Sequence, residues 1–360
     1  MTFAVPVWLA VHELLLEEEA AEKENSTCFD EFNDAALFEY FHLTRPCIAF
    51  IVDAVRIRMK TVSCKKPSPP VDAFVMVALN YFAHGAFSPL VVQKVGSCLH
   101  ASLTSVASSA SGVIAGMSDV FISFPLTAEA RIQNAAVIKE FCKIPNVLGA
   151  MAPAQFKIRA SPYEKEFFKS FINAQGFTSV VSQFICDSQG NILSVEKCCV
   201  GSTSEQELWE SSFKGREVEE DLHGPYWLIA GSGYLLGKHI LTAVAKPETN
   251  EEVLFNEAHA KMLSVMQETL DLLKRRFRCL MQLGFTEEGS LNKKLNTIKA
   301  CSVLHNIALK FSVPPPARAG KAESLYSGKQ LTAETSSDAL MARKELINKN
   351  FSEPRSQDFL

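Results

Sequence analysis

No two of the ten cysteines have the C-x-x-C spacing from which zinc sites are built, and the adjacent Cys198 and Cys199 would point to opposite faces of a strand. Zinc-ribbon and disulfide-framework readings are set aside, and the thiols are expected to be small core residues in a reducing compartment. No apolar run reaches the roughly 20 residues that span a bilayer, so no membrane insertion is expected. Excess positive charge is missing as well. Lys and Arg number 36 against 40 Asp and Glu, a net charge of -4, so nucleic acid would have to be met by a local patch or a partner. The shortage is sharpest between Lys94 and Arg131, where the chain has no Lys or Arg at all. Internal repeats and a phosphate-loop glycine signature are also absent.

What is present suits one substantial core or two linked ones, with 47% hydrophobic and 21% charged residues. Val5 to Leu16 reads as a short amphipathic helix running into Glu17, Glu18 and Glu19. Residues 29–63 place Phe38, Phe41, Ile48, Ile51, Val52 and Val55 on a helical pair interrupted near Pro46. After a break at Lys65 to Pro70, Val71 to Phe87 is apolar enough for a buried helix. Met117 to Pro125 reads as a connector, and Leu126 to Cys142 as a helix.

Pro145 to Ala160 begins as a continuous apolar run and ends with Phe156 and Ile158 alternating with Lys157 and Arg159, a strand leaving a core. Ser179 to Asp187 and Asn191 to Val200 form a hairpin pair across the turn Asp187-Ser188-Gln189-Gly190. Ser204 and Glu207 have the spacing of a capping box, and Tyr226 to Gly233 reads as a buried strand. From Phe255 to Met281 apolar residues recur every three or four positions, giving a long amphipathic helix whose C-terminal half carries Lys274, Arg275, Arg276 and Arg278. Those four cations are either a solvated helix end or a weak phosphate-binding patch. Thr297 to Leu309 is a last apolar helix, on which His305 is expected to be a hydrogen-bonded core residue. Pro314-Pro315-Pro316 ends the domain. A flexible stretch follows, and then a helix over Ala339 to Phe351 with Leu340, Leu346, Ile347 and Phe351 as its docking face.

The segments PNVLGAMAPAQFKIRASP, CDSQGNILSVEKCCVGS, WLIAGSGYLLGKHILT, NEAHAKMLSVMQETLDLLKRRFRCL and ACSVLHNIA, in that order and spacing, resemble the DDE nuclease domain of PIF/Harbinger transposases and their domesticated nuclease-like relatives. The likeness covers about residues 115–312, and a weaker one reaches forward to residue 29 and on to RKELINKNFS. It implies an α/β fold, an RNase H-like mixed sheet flanked by helices and preceded by an all-α N-terminal domain. The boundaries that go with it are an extension at 1–28, a helix-turn-helix-like domain at 29–114, the nuclease-derived domain at 115–312, a linker at 313–338, and a C-terminal helix and tail at 339–360. The family's helix-turn-helix-like element would fall at Val91 to Val106, but phosphate contacts need cations that this stretch lacks, so a structural bundle is expected.

In that family carboxylates from the first strand, a loop after the third, the fourth strand and the long helix bind magnesium or manganese to cut DNA. Matched residue by residue, those positions hold Ala152, Glu205, Gly231 and Gln267, so one carboxylate remains. The family's asparagine-arginine-lysine-glycine run appears as Asn173-Ala174-Gln175-Gly176. Two-metal hydrolysis needs carboxylates on neighbouring elements, and no relocation to Asp187, Glu196, Asp221 or Glu268 is legible from spacing. Ser232 between glycines lacks the pattern of a nucleophile elbow. The expectation is therefore a catalytically inactive, metal-free protein that acts by binding, in the nucleus and possibly also the cytoplasm. The resemblance implies a Myb-like or related DNA-binding protein as its partner, with direct DNA contact weak. Two alternatives are a metal-dependent endonuclease with a rearranged acidic site and a decaying transposase copy without a cellular role.

Overall fold

The computed structural model of the chain describes residues 28–61, 70–96, 99, 101–159, 167–220, 224–284, 291–318 and 336–352. The expected helix at Val5 to Leu16, the acid Asp221 and most of the expected linker lie outside the described residues. In chain order the α-helices are α1 (Asp34–Phe41), α2 (Arg45–Thr61), α3 (Val71–His84), α4 (Pro89–Val95), α5 (Leu103–Ala115), α6 (Ser118–Phe121), α7 (Ala128–Cys142), α8 (Glu205–Glu210), α9 (Phe213–Glu219), α10 (Asn250–Arg276), α11 (Leu291–Lys310) and α12 (Ser337–Phe351). The strands are β1 (Val147–Lys157), β2 (Ser179–Cys186), β3 (Ile192–Val195), β4 (Cys199–Val200), β5 (Trp227–Ala230) and β6 (Ile240–Leu241). The chain divides into two compact units. One is Met1–Ser123 with Phe156–Arg159 and Leu272–Gly320, and the other is Phe124–Gln155 with Ala160–Asp271 and Lys321–Leu360.

The first unit is built from helices. Asn33 caps α1 by accepting from the Ala36 amide at 2.8 Å, and the helix stops at His42, whose backbone is left-handed with φ 54°. The expected interruption near Pro46 is present and falls at His42 to Thr44. Pro46 sits in the first turn of α2, where its missing N–H costs no intrahelical bond. α3 is buried nearly all round, as its composition requires, and packs against α1 and α5, while α11 lies along α5. No single described helix is long and apolar enough to cross a membrane.

The second unit holds the sheet, in the order β3-β2-β1-β5-β6 with β4 beside β2. β2 runs antiparallel to β3 and β4, whereas β5 runs parallel to both β1 and β6. Gly149 lies against Cys186 while Gln155 accepts from the Ser179 hydroxyl at 2.7 Å, so β1 and β2 are antiparallel. This is the RNase H-like order, three antiparallel strands continued by parallel ones. β1 stays buried from Val147 through Ala154, as a strand covered on both faces should. Gly149 is required there, because a Cβ would stand 2.6 Å from the Cys186 carbonyl oxygen. Pro153 falls beyond the register with β5, which ends at the pair Met151 and Ala230.

Three expectations are corrected. The third strand divides into β3 and β4 around Glu196, which turns aside to bond elsewhere. The long helix starts earlier and stops earlier than its apolar period suggests. A reciprocal Thr249 and Glu252 capping box starts α10, and Phe277, at φ -119° and ψ 81°, ends it before a short 3-10 turn at Arg278–Met281. α12 docks through Leu346, Ile347 and Phe351, the last edge-on to Phe255 at 5.9 Å, but Leu340 is 44% exposed because Ala339 takes the inward position.

Candidate functional site

β1 and β5 run side by side in parallel up to the pair Met151 and Ala230, so the next residues, Ala152 and Gly231, are neighbours, with Gly231 just past the end of β5 and Ala152 still within β1. The carboxyl ends of parallel strands are where α/β sheets present their sites. Ala152 is buried, and Gly231 opens onto a cleft that it shares with His259, Ala260 and Leu263 of α10. Gln267 follows Leu263 by four residues, about 6 Å along the same helix face, and is half-buried.

Glu205 enters from α8, whose start is fixed by the Ser204 hydroxyl accepting from the Glu207 amide at 3.2 Å. Its side chain is 5% exposed and lies over Gly233, where a Cβ would fall 2.0 Å from the Glu205 Oε2. Only glycine admits that carboxylate. Beside it, the buried Tyr234 donates its hydroxyl to Gln183 Oε1 at 3.2 Å, and Gln183 Nε2 points to the Met151 sulfur at 3.8 Å. Burial first, and the neighbouring Glu205 charge second, hold the Tyr234 phenol well above its ordinary range. Sequence reasoning missed Tyr234, Gln183 and Gly233; the Gly-Tyr pair after Ser232 was the available signal.

The chain thus brings together a methyl group, a bare backbone and one carboxylate, with a carboxamide one turn along α10. Such donors do not suit a pair of divalent ions, which need several anionic oxygens from different elements. Two of the other acids, Asp187 and Glu196, are committed elsewhere. Asp187 Oδ1 accepts from the Gln189 and Asn191 amides, each at 2.9 Å, and its Oδ2 accepts from the Asn191 side chain at 2.8 Å, which builds the hairpin turn. Glu196 takes the Ser194 hydroxyl at 2.7 Å and the Phe213 amide at 3.0 Å, steadying the start of α9. Glu268 is exposed. Among the described residues no three His, Cys, Asp or Glu side chains gather as metal ligands.

The basic cluster is not one surface. Arg276 points inward at 1% exposure and donates to the carbonyls of His42 and Val313, Lys274 lies 5.5 Å from the Phe156 ring centre, and Arg278 is exposed. Arg275 is half-buried. Asn173 closes its own turn by accepting from the Gln175 and Phe177 amides, with Ala174 and Gln175 exposed on the tip. His305 is buried within α11, as a core histidine should be. Ser232 is exposed, and the histidine of its cleft, His259, points at the Leu241 carbonyl.

Residues 154–306 match the model of the DDE superfamily endonuclease family. The chain is 26% identical over 351 residues to "Putative nuclease HARBI1" of Xenopus laevis, a match covering 97% of this chain and 100% of that protein. It is 26% identical over 313 residues to the proteins of the same name from Homo sapiens and Bos taurus, covering 86% of this chain and 88% of each. No solved structure matches the chain.

Proposed function

We propose that this chain, whose residues 154–306 are a DDE superfamily endonuclease domain of the Harbinger transposase-derived, nuclease-like kind, works by binding a partner and does not cut DNA. The observation that carries the proposal is the composition of the gathered site. A position within β1, the end of β5 and a helix that would each contribute an acid contribute Ala152, Gly231 and Gln267, and Glu205 is turned onto Gly233. Alkyl groups and hydrogen give a magnesium or manganese ion nothing to bind. A scaffold kept without those ligands serves as a surface. The partner proposed is a Myb-like or related DNA-binding protein that brings the chain into the nucleus, since its own charge of -4 gives little attraction to DNA.

The retained, buried Glu205 supports a second reading, an endonuclease with a rearranged acidic site. Supercoiled plasmid incubated with the purified protein and magnesium or manganese separates the two. The binding role expects no nicking by the wild type; nicking that disappears in Glu205→Ala would establish the enzyme. Recovery from nuclear extract of a sequence-specific DNA-binding protein that also binds the purified chain directly is the positive result expected of the binding role.

A further inference from the structure

We infer that the cleft beside Gly231 binds a small organic monoanion, a carboxylate or sulfonate on an apolar body, with Arg343 as its counter-ion. This goes beyond the partner-binding role and does not depend on it. The cleft has a volume of about 490 Å³, within the size range of small-molecule sites, and Leu235, Leu236, Val244 and Leu263 supply apolar wall. Among the described residues no Asp or Glu lines it, and the one charged lining residue is Arg343.

Arg343 is held in place from α12. Its Nη1 donates to the carbonyls of Thr242 and Ala243, each at 3.0 Å, and no described residue bonds its Nε or Nη2. The guanidinium is therefore oriented in advance, with part of its donor fork left for a ligand. Burial lowers its pKa, meaning that the charge has lost water and would gain from an anion. Glu252 lies near enough to favour the charged form, but its carboxylate is engaged with the Glu248 and Thr249 amides and does not line the cleft. Asn256 spends its amide on the backbone of Val244, and His259 bonds the Leu241 carbonyl. Charge selection falls to Arg343. One cation balances one negative charge, whereas a phosphate monoester carries about 1.5 to 2 and a nucleic acid needs many cations.

Gly231 provides the test. A Cβ there meets nothing within 4 Å, so Gly231→Asp would place a carboxylate at the cleft without a clash. The probe is 1-anilinonaphthalene-8-sulfonate, an aromatic monoanion whose fluorescence rises in apolar surroundings. Gly231→Asp and Arg343→Gln are expected to weaken its binding at least about tenfold, while Lys261→Gln, in a separate groove beside Phe141, leaves it within about twofold. If Arg343→Gln fails to fold, Gly231→Asp decides alone. Unchanged affinity in Gly231→Asp, an equal loss in Lys261→Gln, or displacement of the dye by inorganic phosphate or a short DNA duplex would each overturn the assignment.

Discussion

His42 and Arg276 bind each other in both directions: the guanidinium donates to the His42 carbonyl at 2.7 Å, and the His42 ring Nδ1 donates to the Arg276 carbonyl at 2.8 Å. The pair joins the left-handed end of α1 to the end of α10, and Nη2 of the same arginine reaches the Val313 carbonyl at 3.0 Å. Arg276 is thus an internal staple within a run of sequence that reads as a basic patch. Its guanidinium pKa is brought down to about 10, chiefly by burial.

Replacing Arg276 with Ala should cost about 3 kcal/mol of stability, because two buried carbonyls lose charged donors. Urea unfolding measures this. Arg278→Ala, at an exposed position on the same run, should stay within about 0.5 kcal/mol. Equal losses in the two variants would mean that the staple contributes nothing.

His259 makes stability depend on acidity. Burial brings its pKa down from 6.5 to about 4, against the opposing pull of the Leu241 and Ala230 carbonyls. The folded-state value lies below the unfolded one, so the unfolded chain holds more protons between pH 6.5 and 4. Stability from this residue is intact above that window, falls by about 3 kcal/mol on acidification through it, and levels off below. Melting temperatures from pH 7 to 4 should decline less steeply in His259→Gln.

Restoring the acids tests the reading of the site directly. Ala152→Asp alone should destabilise by about 3 kcal/mol, since Ala152 is 4% exposed and an unpaired carboxylate there is desolvated. Adding Gly231→Asp and Gln267→Glu should make the melting temperature rise with millimolar manganese, a response expected to be absent from the wild type. A wild-type rise of the same size would defeat the proposal.

Gly149→Ala should cost about 2 to 3 kcal/mol, because backbone has to move to clear the Cys186 carbonyl. Gly112→Ala, on α5 with nothing within 4 Å of the added carbon, should stabilise by about 0.5 to 1 kcal/mol. Chemical denaturation of both variants reads the contrast.

The elements legible in the sequence were those whose burial imposes a period. β1 runs apolar and then alternates from Phe156, and α10 repeats apolar residues over seven turns. β6 escaped notice because two residues, Ile240 and Leu241, are too few to show a period. α9 escaped because Gly215 interrupts it, although Gly215 is close to the Trp209 carbonyl and the Ser212 hydroxyl that shape its start. Cations offer the opposite lesson: Arg276 and Arg278 look alike in a basic run, and only the stop of the helix at Phe277 separates the inward one from the outward one. The four site positions came from family likeness, and the register of β1 with β5 is what makes two of them neighbours.

β6 closes one margin of the sheet, and the carbonyls of Thr242 and Ala243 just beyond it are held by Arg343 from α12. Acceptors at a sheet margin are otherwise invitations to strand addition, the route by which β-proteins associate with copies of themselves. A single helix brought back from much further along the chain therefore acts as a guard rail, occupying acceptors that an added strand would otherwise find open.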